Sequence, residues 1–225
     1  MKTLSKAVAV ASLLTAGVMS AQVANAEVSY SADLATTYLW RGTDLGGTMF
    51  SGAADYSHDS GLYAGAWVAG GDLSQGNETD LYVGFAKEFG AVSIDASVIT
   101  YVYNNGNDDG DDVNGSPGEF SEFIGSVGVA GASVGYTTSL QDQDYKYITL
   151  GYSIAGADIT LGLSDNGKSG DAEAAYSHLD ISYGLTDALS VTVSQAIDDS
   201  SDAVVAAGDA VDEDVIVVMS YSLPL

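Results

Sequence analysis

The chain has 225 residues, of which 31 are acidic, six basic and none cysteine, giving a formal charge of −25. That charge disfavours nucleic acid and anionic lipid surfaces as partners, and the lack of cysteine excludes a disulfide framework and thiolate chemistry. Two prolines, 27 glycines and 14 tyrosines point to strands and tight turns rather than to disorder.

Residues 1–26, "MKTLSKAVAVASLLTAGVMSAQVANA", begin with Lys2 and Lys6, continue with an apolar run from Ala7 to Met19 and end in Ala24-Asn25-Ala26. This is the pattern of a cleaved secretory signal peptide, and the run is too short for a bilayer-spanning helix of ~20 residues. Cleavage after Ala26 removes two of the six basic residues and leaves four against 31 acids, a formal charge of −27 on one domain, residues 27–225.

From there the dominant hydrophobic period is two, which indicates strands. Alternating segments fall at 28–40, 48–58, 61–70, 79–88, 91–103, 119–130, 132–141, 144–155, 157–164, 174–184, 188–198 and 213–224. Their lengths suit tilted strands crossing a bilayer, ~9–11 residues each. The connections alternate between short ones, such as "EFGA", "AGA" and "LTDA", and longer acidic ones, such as "NNGNDDGDDVNGSPGE" and "DDSSDAVVAAGDAVDED". Short periplasmic turns and long outer loops are the signature of an outer-membrane β-barrel. The expected fold is therefore all-β, a membrane-spanning antiparallel up-and-down barrel of about 12 strands.

Alternation also assigns faces. In 188–198, Leu189, Val191 and Val193 oppose Ser190, Thr192 and Ser194; in 144–155, Ile148, Leu150, Tyr152 and Ile154 oppose Thr149, Gly151 and Ser153. The apolar set is expected outside and the polar set inside, with a soluble β-sandwich as the alternative. Tyr38, Trp40, Tyr101, Tyr103, Tyr145 and Tyr147 near the outer strand ends, and Tyr30, Tyr56, Tyr183 and Tyr221 near the opposite ends, suggest two aromatic girdles at the membrane interfaces. At the C-terminus, Val215, Val217, Met219, Tyr221, Leu223 and Leu225 recur in twos, the spacing of a barrel-assembly signal, with Pro224 and a terminal Leu as departures.

Residues 30–103 resemble the TorF-type porins, a family of Gram-negative outer-membrane proteins. The resemblance is carried by "YSADLATTYLWRG", "SGAADYSHDSGLYAGAWVA" and "ETDLYVGFAKEFGAVSIDASVITYVY". Within these stretches Trp40, Arg41, Gly42, Gly61, Tyr63, Gly65, Trp67, Glu78, Asp80, Leu81 and Tyr82 match the family pattern. The resemblance implies a barrel in the outer membrane and a transport role.

Arg41 is the only arginine in the chain. With Tyr38 and Trp40 placed on the lipid face of the first strand, Arg41 points into the lumen, and Gly46-Gly47 turn the chain back. The same counting puts Asp33, Asp55, Asp80, Asp95, Glu122, Asp158 and Asp180 on inner faces as pore-lining candidates. One cation among carboxylates either sets a selectivity constriction or braces a folded-in loop through a bidentate pair. Asn105, Asn107, Asp109 and Asp111 form a fragment of a calcium-loop pattern, with Ser116 where a bidentate Glu belongs. His58 beside Ser57, and His178 near Asp180, raise an enzymatic alternative that no spacing in the sequence requires. No cofactor is implied. The reading is a porin, not an enzyme: a narrow, cation-preferring channel for small hydrophilic solutes. Its expected partners are outer-membrane lipid, lipopolysaccharide and, through the last strand, the barrel assembly machinery. The alternative is a non-conducting barrel whose acidic loops bind divalent cations or a partner.

Overall fold

The computed structural model describes residues 26–74, 76–104, 115–141, 145–169, 172–199, 211 and 213–225. Its strands are β1 (Glu27–Ala35), β2 (Leu39–Trp40), β3 (Thr43–Asp44), β4 (Gly46–Ser57), β5 (Leu62–Leu73), β6 (Asn77–Phe89) and β7 (Val92–Asn104). They continue with β8 (Phe120–Val129), β9 (Ala132–Ser139), β10 (Lys146–Ile154), β11 (Ala157–Ser169), β12 (Ala172–Gly184), β13 (Leu189–Asp199) and β14 (Ile216–Ser222). β2 and β3 pair only with each other; the other twelve pair antiparallel in chain order, and β1 pairs with β14, closing a twelve-stranded barrel. Closure leaves no open sheet edge.

Two of the short connections show why the meander turns where it does. Ala130-Gly131 and Ala155-Gly156 have φ of +50°/+85° and +53°/+85°. Positive φ at both central residues marks a type I′ turn, whose twist matches that of a two-residue hairpin. A third short connection is closed by His58, whose backbone N–H donates to Leu62 O at 2.9 Å and whose carbonyl accepts from Gly61 N at 2.8 Å.

The barrel is polar within and apolar without. Ser190, Thr192 and Ser194 are buried inside while Val193 and Ile197 are exposed outside, and Ile148, Leu150, Tyr152 and Ile154 line the outer face of β10. A water-soluble barrel would bury the apolar set, so this arrangement is that of a barrel in hydrocarbon. Mid-strand Val193→Arg should cost about 2–4 kcal/mol of folding stability in lipid vesicles, measured by denaturant titration. A neutral result would contradict the assigned outer face.

Two inner-face glycines on β5 and β6 are explained by crossed tyrosines. A Cβ on Gly65 would collide with the Tyr82 ring, and one on Gly84 with the Tyr63 ring. Each phenol lies across its cross-strand glycine and reaches a carboxylate, Tyr82 to Asp55 and Tyr63 to Asp95 at 3.0 Å.

The first strand differs from expectation. It ends at Ala35, five residues early, and residues 36–45 leave the wall and fold into the lumen. Tyr38, Leu39, Trp40, Arg41, Gly42 and Thr43 are all buried, consecutive residues with no alternation. Tyr38 and Trp40 therefore do not face lipid: with Leu45 they pack on the inward Trp67 and Ala69 of β5, while Leu39 packs on Ala35 and Val218. The physical reason lies in what the inside offers: the rings pack on one another and on Trp67, and the Tyr38 hydroxyl gains a buried carboxylate, Glu78, as acceptor. The chain reverses at Arg41-Gly42, with φ of +49° and +81°, rather than at Gly46-Gly47. This too is a type I′ turn, joining β2 to β3 in a minimal hairpin.

Candidate functional site: a strap across the lumen

The hairpin tip crosses the barrel. In the ring of strands β9 lies six steps from β1 in either direction. Arg41 reaches the strands on both sides of β9: its Nη1 and Nη2 donate to Glu122 Oε1 and Oε2 on β8 at 2.9 and 2.6 Å, and Nη1 also donates to the Tyr145 hydroxyl beside β10. The guanidinium lies against two rings, 4.3 Å from the Trp40 centroid and 4.8 Å from that of Tyr147. Tyr101 adds a hydrogen bond to Glu122 Oε2 at 2.8 Å. Arg41 is 6% exposed and Glu122 0%, so the pair is desolvated and joined by two parallel charge-assisted hydrogen bonds, the geometry under which an internal ion pair holds its place.

The strap is tied on both flanks. Tyr38 donates to Glu78 Oε2 on β6 at 2.9 Å, and Tyr103 donates to Glu78 Oε1 at 3.1 Å. On the other flank Tyr176 of β12 donates to the Arg41 carbonyl at 3.0 Å. Gly42 lies against the His178 ring so closely that a Cβ would overlap it. At its root Thr37 Oγ1 and Gly46 N converge on Asp44 Oδ1 at 2.8 and 2.9 Å.

All eight pore-lining candidates lie on the inner face, in two groups. Arg41, Asp80, Glu122 and Asp180 are buried around the strap. Asp33, Asp55, Asp95 and Asp158 are less enclosed, and each accepts from a hydroxyl, of Ser222, Tyr82, Tyr63 and Ser153 respectively. Glu78, absent from the candidate set, belongs to the first group; its position two residues before Asp80 on one strand gives it the same facing. Asn105, Asn107, Asp109 and Asp111 lie outside the described residues.

The outer-end girdle requires correction. Tyr101, Tyr103, Tyr145 and Tyr147, like Tyr38 and Trp40, turn their hydroxyls or rings to the strap. The opposite-end tyrosines Tyr30, Tyr56, Tyr183 and Tyr221 are 68%, 42%, 47% and 42% exposed, as an outer belt there requires.

His178 and His58 have separate surroundings. His178 Nδ1 meets Asp180 Oδ1 at 3.0 Å and Nε2 meets the Tyr147 hydroxyl at 2.8 Å, while Ser194 donates to Asp180 at 2.6 Å. Gly42 and Gly162 press on the imidazole, so the ring is packed against backbone. His58 instead accepts from Ser60 N within its own exposed turn, at 3.1 Å.

Fold and site together define an outer-membrane-type, porin-like barrel with a strapped lumen. The chain belongs to the bacterial family described as "Bacterial protein of unknown function (Gcw_chp)", whose pattern matches residues 20–222. That family, rather than the TorF family, is the one the match establishes. No curated protein matches the chain. A solved structure similar to it is that of a KdgM porin in complex with disordered oligogalacturonate, with TM-score 0.43 and 10% identity, covering 88% of this chain and 96% of that one.

Proposed function

We propose that the protein is a porin of the TorF type in the outer membrane of a Gram-negative bacterium, exported by the signal peptide at 1–26 and giving narrow, cation-preferring passage to small hydrophilic solutes. The observation that carries this reading is the charge of the inner face. Asp33, Asp55, Asp95 and Asp158 line the lumen with only hydroxyls as partners. Arg41, whose guanidinium lies inside the barrel, is neutralised by Glu122. A lumen so lined lowers the energy of cations and raises that of anions, as charged rings do in channels. Lipid and lipopolysaccharide surround the apolar face, and the C-terminal strand is the element offered to the assembly machinery.

Reconstitution in a planar bilayer under a salt gradient tests the reading. The expected reversal potential is that of a cation-preferring pore of small conductance; an anion-preferring potential, or silence, contradicts it. A second reading, a non-conducting barrel whose acidic loops bind divalent cations or a partner, is favoured by the burial of Tyr38, Trp40, Arg41, Glu122 and His178 across the mouth. The same recording separates the two, because a structural barrel stays silent at every voltage.

A further inference from the structure

The strap leaves the wall by a half-turn of the chain about its own axis, and the backbone hydrogen bonds record it. In a continuous strand, residues two apart aim their backbone groups at the same neighbour. Thr36 N donates to Met219 O at 3.0 Å, on the β14 side. Tyr38 N instead donates to Gly46 O at 3.2 Å, and Tyr38 O accepts from Leu45 N at 2.7 Å, both on the β4 side. Leu45 and Gly46 thus share one opposing residue. The register agrees: from Ala35↔Met49 to Leu39↔Asp44 the first strand advances four residues and its partner five. This is a β-bulge, which bends a hairpin and re-aims its side chains. It turns Tyr38 and Trp40 inward and leaves a gap in the pairing of the wall. On β14, Met219 bonds to Thr36 through both its backbone groups, and Leu223 N donates to Ala32 O at 2.8 Å, so odd-numbered residues face β1. Val217 presents the same groups to the same side, but β1 is in register with β14 only over Asp33–Ala35. Val217 is 54% exposed on the outer face, where hydrocarbon offers an unpaired backbone group no substitute for a strand.

We propose that the strap is one of two positions of this hairpin tip, and that in the other, residues 36–40 straighten into the gap as a continuation of β1. The register set by Ala35↔Ser220 then pairs Tyr38 with Val217 and Trp40 with Val215. Alternation places Thr36, Tyr38 and Trp40 on the lipid face with Leu34, and Arg41 at the rim of a cleared lumen. The inner position is held by the Arg41–Glu122 pair and by the Tyr38 hydroxyl on Glu78. The outer one is held by backbone pairing along β14 and by two rings of the kind that settle at a membrane interface. Each position satisfies groups that the other leaves unpaired, so the tip moves between two discrete arrangements rather than by degrees. That this movement gates a channel rests on the porin reading above; the exchange itself does not.

Trp40 and Trp67 are the only tryptophans, so Trp67→Phe leaves Trp40 as the sole reporter of the strap. In vesicles containing brominated phospholipid, bromine quenches an indole on the lipid face and spares one in the lumen. Glu122→Gln in that background weakens the inner position and should raise the quenching of Trp40 by about twofold or more. Equal quenching in the two proteins overturns the proposal. A second measurement does not depend on Glu122→Gln folding. The chain has no cysteine, so Tyr38→Cys/Val217→Cys offers a single disulfide. The two side chains lie on opposite faces of the wall in the inner position and side by side in the outer one. Oxidant should join them within one molecule; no disulfide, or one found only in dimers, overturns the exchange. Raised quenching together with a silent bilayer supports the exchange and removes the porin reading, which separates the two.

Discussion

Arg41→Ala should destabilise the barrel by about 3–5 kcal/mol, because it leaves Glu122 buried and without its counter-charge. It should also enlarge the conductance and deepen the cation preference. The first effect follows from the desolvation of the pair, with Glu122 at 0% exposure and both its oxygens bonded to the guanidinium. The second follows from position: Arg41 carries the strap to the wall facing its root, and without that anchor the hairpin has only its flanking ties. The third follows from charge, since Glu122 then faces the lumen unneutralised. Arg41→Lys keeps the charge but not the two-pronged geometry or the stacking on Trp40 and Tyr147, and should fall between. Glu122→Gln should move selectivity toward anions, and the double variant Arg41→Ala/Glu122→Gln should recover part of the lost stability. Denaturant titration and single-channel recording give both quantities. A stability for Arg41→Ala within about 1 kcal/mol of wild type would place the pair among the dispensable ion pairs.

The twelve strands were legible because each wall segment has one wet and one dry face, and a period of two records that directly. The first six residues of β13 and residues 148–154 of β10 were assigned to the correct faces on this ground alone. Ala130-Gly131 and Ala155-Gly156 marked their turns because glycine supplies a positive φ without steric cost. The strap was not legible, and the reason is physical. "TTYLWRG" is rich in β-branched and aromatic residues, which extends the first strand by propensity, but inside the barrel residues 38–43 are all enclosed, so periodicity carries no information there. The signal that bears on it is the dipeptide Arg41-Gly42 between Leu39-Trp40 and Thr43-Asp44, a two-residue hairpin loop with glycine at its second position.

The aromatic residues failed for a related reason. Composition cannot distinguish a ring of tyrosines at the lipid interface from one around an internal plug, because both place a ring against apolar groups and a hydroxyl near a polar one. The carboxylates break the tie. Tyr103 and Tyr101 stand cross-strand from Glu78 and Asp80, and the phenols of Tyr38, Tyr101 and Tyr103 donate to Glu78 or Glu122 at 2.8–3.1 Å. A tyrosine directly cross-strand from an inward Asp or Glu faces the lumen with it, and that pairing is known only once the register is.

Gly42→Ala should detach the strap while leaving the barrel wall closed, at a cost of about 2–4 kcal/mol from two sources. The φ of +81° at Gly42 is one that an L-residue enters only with strain, and Arg41 before it already sits at +49°. The added methyl also falls on the His178 ring, which Asp180 and Tyr147 hold by both nitrogens and which Gly162 confines from the other side. Neither neighbour can yield without breaking a buried hydrogen bond, so the hairpin is the element that moves. The expected result is a folded, heat-resistant barrel with raised conductance and increased protease cleavage near residues 36–45. Pairing it with His178→Ala separates the two sources: removing the ring should relieve the overlap and restore part of the wild-type conductance, while the backbone strain remains. Restoration in the double variant with no effect of His178→Ala alone would show that the strap is held by fit against the imidazole. A Gly42→Ala barrel with wild-type conductance and cleavage would show that the strap does not limit passage, and the constriction would then lie among the carboxylates below it.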